Sequence, residues 1–448
     1  MRSRIDQLEG STPLLEGSWG NGPVTIQSEN GASFHLNDED LSLHILVLGV
    51  PGTGKTNAIF HLTDGIVAQL RSNETAVILD TKRDFLRRES LRQESDVVLT
   101  FDNRRISGPH SKAPDGQQAQ AYAYWNVVRE VLIDSPERRE VTASEISFSL
   151  FAERLRHPGT DPFFVTAAQQ LLAAVLHALA DRASTEQGKT SEISNPDLFR
   201  ILSSTKDIRD CLSSRPDAQG VLNLIPERAE KQTAGVMAEL QSVLRAVFPE
   251  PLRQPGCFSV REFVRNIGHT GPPRKLFIEY SVEIGTVLTP VYRTLFDLAL
   301  KEALAKEDAE CRTFFIVDEF ARLPWLSHMD DAINFGREKG IRIILGTQNV
   351  PQVLKSYPEA GEGLLSNFGT FVIFRLQDSV SKKLISSVAG TRLTHTMVQS
   401  MSMSPNVHQN VLSLPTVSDY EMSHLPDHHC LVLWRARPAF VMKPARVK

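Results

Sequence analysis

Cysteine is scarce and scattered. The 448 residues include only Cys211, Cys257, Cys311 and Cys430, none of them in a CxxC pair. That spacing argues against a disulfide framework or a structural zinc site, and it fits a reducing cytoplasm. Long apolar runs are missing as well: nothing approaches the ~20 apolar residues of a membrane-spanning helix. The longest candidate, residues 163–180, carries Gln169, Gln170 and His177 and is expected to be a buried helix. The opening MRSRIDQLEGS lacks the apolar centre of a secretory signal, so the chain is expected to be soluble as written. Charge of one sign is absent too. Lys and Arg total 49 against 53 Asp and Glu, a net charge of −4. No global basic field therefore marks a nucleic-acid partner, and any DNA contact must come from local basic groups. Internal repeats and long low-complexity tracts are not visible. What is present is an ordinary globular balance, 41% hydrophobic and 23% charged. The length suits roughly two to three domains of about 100–200 residues each.

Punctuation and periodicity organise the chain. Residues 1–40 are rich in Gly, Ser and Asn, with short alternating runs (PVTIQ, SFHL) that predict a β-ribbon leading into the core. Apolar, β-branched runs follow at HILVLG (44–49), AVILD (76–80) and VVLTF (97–101), each ahead of a turn or helix signal. Strands alternating with helices predict a parallel sheet covered on both faces. From about residue 127 to 261 the apolar spacing becomes helical. Strand runs resume at KLFIEY (275–280), TFFIVDE (313–319), RIILGTQ (342–348) and TFVIFRL (370–376), and CLVLWRA and AFVMK are expected as edge strands. The fold expected is α/β, a mostly parallel central sheet interrupted by an inserted all-helical domain. Its core would comprise residues 41–126 and 262–448, with the insertion at 127–261. Residues 397–409 are expected to be a mobile loop.

The chemistry concentrates at two places. Residues 49–56, GVPGTGKT, match GxxxxGK[ST] in full, between the strand HILVL and the helical run NAIFHLTDGIVAQL. Gly49, Gly52 and Gly54 let backbone N–H groups converge on phosphate oxygens, and the helix N-terminus favours the anion. The expected nucleotide-binding set is Gly49, Val50, Pro51, Gly52, Thr53, Gly54, Lys55, Thr56 and Asn57. In it Lys55 reaches the β- and γ-phosphates of ATP and Thr56 ligates Mg²⁺. The second place is the strand TFFIV, ending in Asp318 and Glu319. Asp318 is expected to hold Mg²⁺, and Glu319 to polarise the attacking water. A Gly-rich turn without ligand and a solvated strand end are the plainer alternatives.

The stretch DEFARLPWLSHMDDAINFGREKGIRIILGTQNVPQVLKSY, with LLSNFGTFVIFRLQD and SSVAGT, resembles the motor domain of type IV secretion coupling proteins of the TraD/TraG type. His44 before the P-loop strand, Asp80-Thr-Lys82 in place of a D-P-K turn, and Trp125-Asn126 agree with it. The resemblance implies a RecA-like P-loop NTPase: a hexameric ATPase that moves DNA in conjugation. Secretion-channel and relaxosome proteins would be its partners. It also implies that Arg337 reaches the neighbouring subunit's γ-phosphate and that Gln348 senses the γ-phosphate and couples hydrolysis to movement. Capping of a helix C-terminus by Arg337, and a simple strand-end hydrogen bond by Gln348, remain open. Arg375 and Lys383 lie near further nucleotide-contacting positions. The family normally begins with transmembrane helices, which this sequence does not carry, so membrane contact is expected only through a partner, at the inner face of the cell membrane.

Lys82, Arg83, Arg87, Arg88, Arg104 and Arg105 are candidate DNA contacts, but interspersed Asp84, Glu89 and Asp102 make a solvated face the plainer reading. His428-His429-Cys430 is expected to be a turn rather than a metal site, and Trp325 and Trp434 to be packing residues. Beside the DNA translocase stand an ATP-switched substrate receptor and an FtsK- or HerA-like DNA pump outside secretion.

Overall fold

The apolar runs of the sequence become strands. The computed structural model describes residues 12–88, 91, 93, 95–101, 122–156, 161–185, 193–248, 250–265, 274–281, 283, 285–307, 309–399, 407–435 and 437–447. In chain order the strands are β1 (Ser18–Gly20), β2 (Val24–Gln27), β3 (Ser33–Leu36) and β4 (Ile45–Leu48), then β5 (Thr75–Asp80), β6 (Val97–Leu99), β7 (Tyr122–Ala123) and β8 (Arg274–Glu279). After them come β9 (Thr313–Val317), β10 (Ile341–Thr347), β11 (Thr370–Ile373), β12 (Thr391–Gln399), β13 (Val407–Pro415), β14 (Cys430–Trp434) and β15 (Phe440–Met442). The chain divides into two compact units.

The first unit comprises Met1–Leu70, Phe314–Arg322 and Asp330–Lys448. Its main strands lie in the order β15-β14-β11-β4-β10-β9. Strand β4 is parallel to both β10 and β11, while β14 and β15 are antiparallel additions. Every residue of β4, β10 and β11 is buried, as a strand covered on both faces requires. Of the two strands expected at an edge, β15 lies at one, while β14 has a strand on each side among the described residues. The N-terminal segment forms a three-stranded sheet, β1-β3-β2. It docks through aromatics: Phe34 meets Trp434 and Phe440 edge-on, and Trp19 meets Phe440. Trp434 is thus a packing residue whose indole N–H donates to Asp40 Oδ1 at 2.9 Å.

The expectation of a loop at 397–409 is corrected at its two ends. Residues 397–399 end β12 and residues 407–409 begin β13, an antiparallel pair with Thr391 opposite Pro415. Thr and Val along TRLTHTMVQ favour extended backbone even where the composition is polar. Residues 400–406 lie outside the described residues.

The second unit comprises Arg71–Thr313 and Leu323–Met329. Its strands run β5-β8-β6-β7, all parallel. From Val127 to Arg265 every described regular element is helical. The helix Pro162–Thr185 is long and apolar enough by composition to cross a membrane. Most of that apolar surface is buried within the unit, including Leu171, Leu172, Val175, Leu176 and Leu179. Arg261 ties this region together, pairing with Asp134 at 2.7 Å and Glu302 at 3.1 Å. Trp325 packs edge-on against Phe148 and lies under the Arg156 guanidinium.

Candidate nucleotide site

The P-loop grows from the end of β4 and closes on the helix Lys55–Val67. Gly54 caps that helix at a left-handed φ of +113°, where a side chain would be strained. Gly49 is confined by space as well: a Cβ there would stand 2.6 Å from Phe374 Cβ. The loop is pinned by Gly49 N–H to Thr347 O, Val50 N–H to Arg375 O and Thr53 Oγ1 to Val50 O. Pro51 and Gly52 form its exposed crest. Below it the helix buries Ala58, Ile59, Leu62 and Ile66.

The Lys55 side chain curls over the loop, donating to Gly49 O at 2.6 Å and Val50 O at 3.2 Å. Thr56 Oγ1 donates to both Asp318 oxygens, at 3.1 and 3.2 Å. A hydroxyl and a buried carboxylate thus converge from residues 262 positions apart. Both are hard oxygen donors of the kind Mg²⁺ takes. Next to Asp318, Glu319 accepts from Gln348 Nε2 at 2.6 Å through Oε2. Its other oxygen, Oε1, is buried and finds no hydrogen-bond partner among the described residues. A P-loop of backbone N–H donors, a cation at its rim, a hydroxyl–carboxylate pair and an orphaned acceptor make a set that fits Mg²⁺ and a nucleoside triphosphate.

Arg337 sits in the 3₁₀ turn Gly336–Lys339. Its side chain is exposed and has no partner among the described residues. Capping is done instead by Gly340, whose N–H reaches Arg337 O and Gly336 O. Arg375 pairs with Asp427 at 2.8 Å, and Lys383 is exposed. Asn57 departs from the expected picture in one respect. Its side chain is engaged by the C-terminal segment, donating to Ala445 O and accepting from Val447 N–H, each at 2.9 Å.

Sequence reasoning missed that C-terminal strap, the Phe374 wall and the approach of the expected His428 turn to the P-loop. The His428 ring nitrogen stands 3.4 Å from where a Cβ on Gly54 would be. The turn itself is real, closed by His429 N–H to Pro426 O. Among the described residues there is no cluster of three or more metal-ligating side chains. Of the DNA candidates, Arg83 is committed to an ion pair with Glu279, and Arg104 and Arg105 lie outside the described residues.

Residues 30–442 match the family described as the type IV secretion-system coupling protein DNA-binding domain. The chain belongs to this family. No curated protein matches its sequence. Among solved structures, the coupling-protein chain is similar to plasmid coupling protein TrwB in complex with the non-hydrolysable ATP analogue ADPNP. Identity is 19% and the TM-score 0.69, over 98% of this chain and 94% of that one. TrwB in complex with ADP and Mg²⁺ matches with 19% identity and a TM-score of 0.66, over 96% and 90% of the two chains. VirB4 of Thermoanaerobacter pseudethanolicus shares the fold more distantly, at 13% identity and a TM-score of 0.55, over 96% and 99%. The coupling-protein chain is a P-loop ATPase with the expected RecA-like α/β fold.

Proposed function

We propose that this coupling-protein chain is the ATP-driven motor that feeds DNA, with its bound relaxase, to a type IV secretion or conjugation machine. The observation carrying this reading is a site that is internally complete, together with an exposed arginine that has no partner among the described residues. Thr56–Asp318 and Gln348–Glu319 close one site, while Arg337 is exposed and unpartnered among the described residues. A spare cation of that kind suits the phosphoryl group of a neighbouring copy, so the working form is a homohexamer with ATP at subunit interfaces.

Backbone N–H groups of residues 52–57 and the Lys55 ammonium would hold the phosphates, and Thr56 and Asp318 the Mg²⁺. TrwB, solved with ADPNP and with ADP and Mg²⁺, supports both ligands. When bound, the metal draws off charge that develops on the transferring phosphoryl group. Glu319 Oε1 is the acceptor that orients water and takes its proton, because Gln348 already occupies Oε2. Gln348 directly follows β10 and thereby joins the sheet to the base, so displacement of one is felt by the other. The motor is assigned to residues 41–126 and 262–448, the helical domain to 127–261, and the lead-in to 1–40. The motor works in the cytoplasm at the inner membrane face, held there by a partner.

The test is hydrolysis with and without single- and double-stranded DNA at low salt, with particle mass measured in parallel. Hexamers whose rate rises with DNA, and falls about 10²–10³-fold in Lys55→Ala, are expected. A lone subunit indifferent to both forms of DNA refutes the motor. Lys55→Ala protein that still supports transfer points to a receptor instead.

A further inference from the structure

The segment just ahead of the P-loop strand is built as a strut. Asn37 caps the short helix Asp38–Ser42 through a reciprocal capping box with Asp40. His44 follows at a left-handed φ of +62°, a region where His and Asn are tolerated better than most residues. It is only 1% exposed, and its ring meets Phe368 edge-on. Ile343 N–H donates to Nδ1 at 3.2 Å, which makes Nδ1 the acceptor and leaves the proton on Nε2. Nε2 therefore donates to Ile333 O at 3.3 Å. Burial, ahead of every other influence, brings the His44 pKa down to about 4, and nearby Arg342 pushes the same way. The ring is neutral and holds one tautomer through the physiological range.

Ile333 lies in the last turn of the helix Met329–Phe335, whose final carbonyls have no partner within the helix. The turn carrying Arg337 begins immediately after. A second tie runs in parallel. Arg342 donates to Arg337 O at 3.4 Å and pairs with Asp38 at 3.3 Å, in the same segment as His44. The stretch that carries Arg337 is thus tied at Ile333 O by His44 and at Arg337 O by Arg342, itself paired with Asp38, and β4 carries the segment 38–44 directly to Gly49.

We propose that His44 is a positioning residue that, through its hydrogen bond to Ile333, sets the arginine turn so that Arg337 is presented to the neighbouring subunit. This rests on the trans role of Arg337 proposed above. Two amide variants separate the two ring contacts. An Asn at 44 can accept from Ile343 N–H and suits the left-handed backbone, but it is too short to reach Ile333 O. A Gln can reach Ile333 O.

The experiment compares His44→Ala, His44→Asn, His44→Gln and Arg337→Ala in the full chain. It reads kcat and KM for ATP, ADPNP affinity and thermal midpoint. A misplacement of about 1 Å costs on the order of 10²-fold in rate, so His44→Ala and His44→Asn are expected to lower kcat about 10- to 100-fold. KM and ADPNP affinity should stay within about twofold, because ground-state binding is untouched. His44→Gln should recover most of the rate despite its poorer backbone fit. Mixing His44→Ala with Lys55→Ala subunits should restore hydrolysis, since the latter carry an intact strut. A purely architectural histidine gives the opposite order, with Asn active and Gln impaired, and that result overturns the proposal. So does an unchanged kcat in His44→Ala while Arg337→Ala is slow, which leaves the arginine's role standing. An unchanged Arg337→Ala overturns both.

Discussion

Gly346→Ala is the substitution by which the site's geometry is best tested. Gly346 lies in β10, and an added Cβ would stand 2.3 Å from the Asp318 carbonyl oxygen and 2.9 Å from Ile59 Cδ1. Carbon and carbonyl oxygen settle at about 3.3–3.6 Å, so one strand end must retreat by about 1 Å. Ile59 can yield because it is the far end of a flexible side chain; the Asp318 backbone cannot. The retreat carries the Asp318 carboxylate away from Thr56, whose bonds at 3.1 and 3.2 Å are already near the limit. A displacement of that size costs on the order of 10²-fold in rate, about 2.7 kcal/mol of activation free energy. The overpacking itself should lower stability by about 1–3 kcal/mol. Steady-state ATP hydrolysis well below the melting midpoint, together with thermal unfolding, measures the two effects separately. Gly363→Ala is the control: it lies in the helix Gly361–Ser366 with nothing within 4 Å of its new methyl group. It should leave the rate alone and raise stability by about 0.5–1 kcal/mol. If Gly346→Ala hydrolyses ATP within about twofold of the parent rate, strand contact does not set the Asp318 position, and the reasoning fails.

Three further outcomes are expected. Burial, partly offset by backbone N–H groups of Leu86, Lys82 and Arg83, raises the Asp80 carboxyl from 3.8 to about 6. A raised folded value means its contribution is fully present below about 4 and is lost as pH rises through about 6. Asp80→Asn should therefore gain up to about 3 kcal/mol at pH 8 and little at pH 4, read from urea midpoints at the two values. Gln348→Ala frees Glu319 Oε2 and cuts the link from β10, so basal hydrolysis should persist within several-fold while stimulation by DNA disappears; a normal response to DNA counts against Gln348 as the coupling element. Asn57→Ala removes both side-chain bonds to the C-terminal segment and should cost about 1–3 kcal/mol, with faster hydrogen exchange at Val447 as the local readout.

What was legible in the sequence is what neighbouring residues decide among themselves. The P-loop needs glycines at fixed offsets and a strand before it, and both are contiguous in the chain. The buried strands were readable because β-branched runs such as ILVL and TFFIV have no exposed face to advertise. The hairpin β12–β13 was missed because its composition imitates a loop. Asn57 was assigned from the motif alone, and the Ala445 carbonyl that claims its side chain lies 388 residues away. The contact between Gln348 and Glu319 spans 29 residues and depends on the ends of β9 and β10 being brought together. No local pattern announces strand order.

The adjacent carboxylates show where legibility and fold meet. Asp318 and Glu319 directly follow β9, which ends at Val317, and they address different partners. One turns toward Thr56 in the helix that follows the P-loop, and the other toward Gln348 just past β10. Asp318 is buried against Thr56; Glu319, half-buried, turns to Gln348. The proposed division of labour between metal ligand and base follows from these separate partners, and which residue takes which part follows from where the P-loop helix lies. Exchanging the two, as Asp318→Glu with Glu319→Asp, keeps charge and composition. It should still abolish hydrolysis, because a longer carboxylate is driven into Thr56 and a shorter one falls away from Gln348. Retained activity in that double variant would mean that total negative charge at the strand end, rather than its facing, is what the site requires.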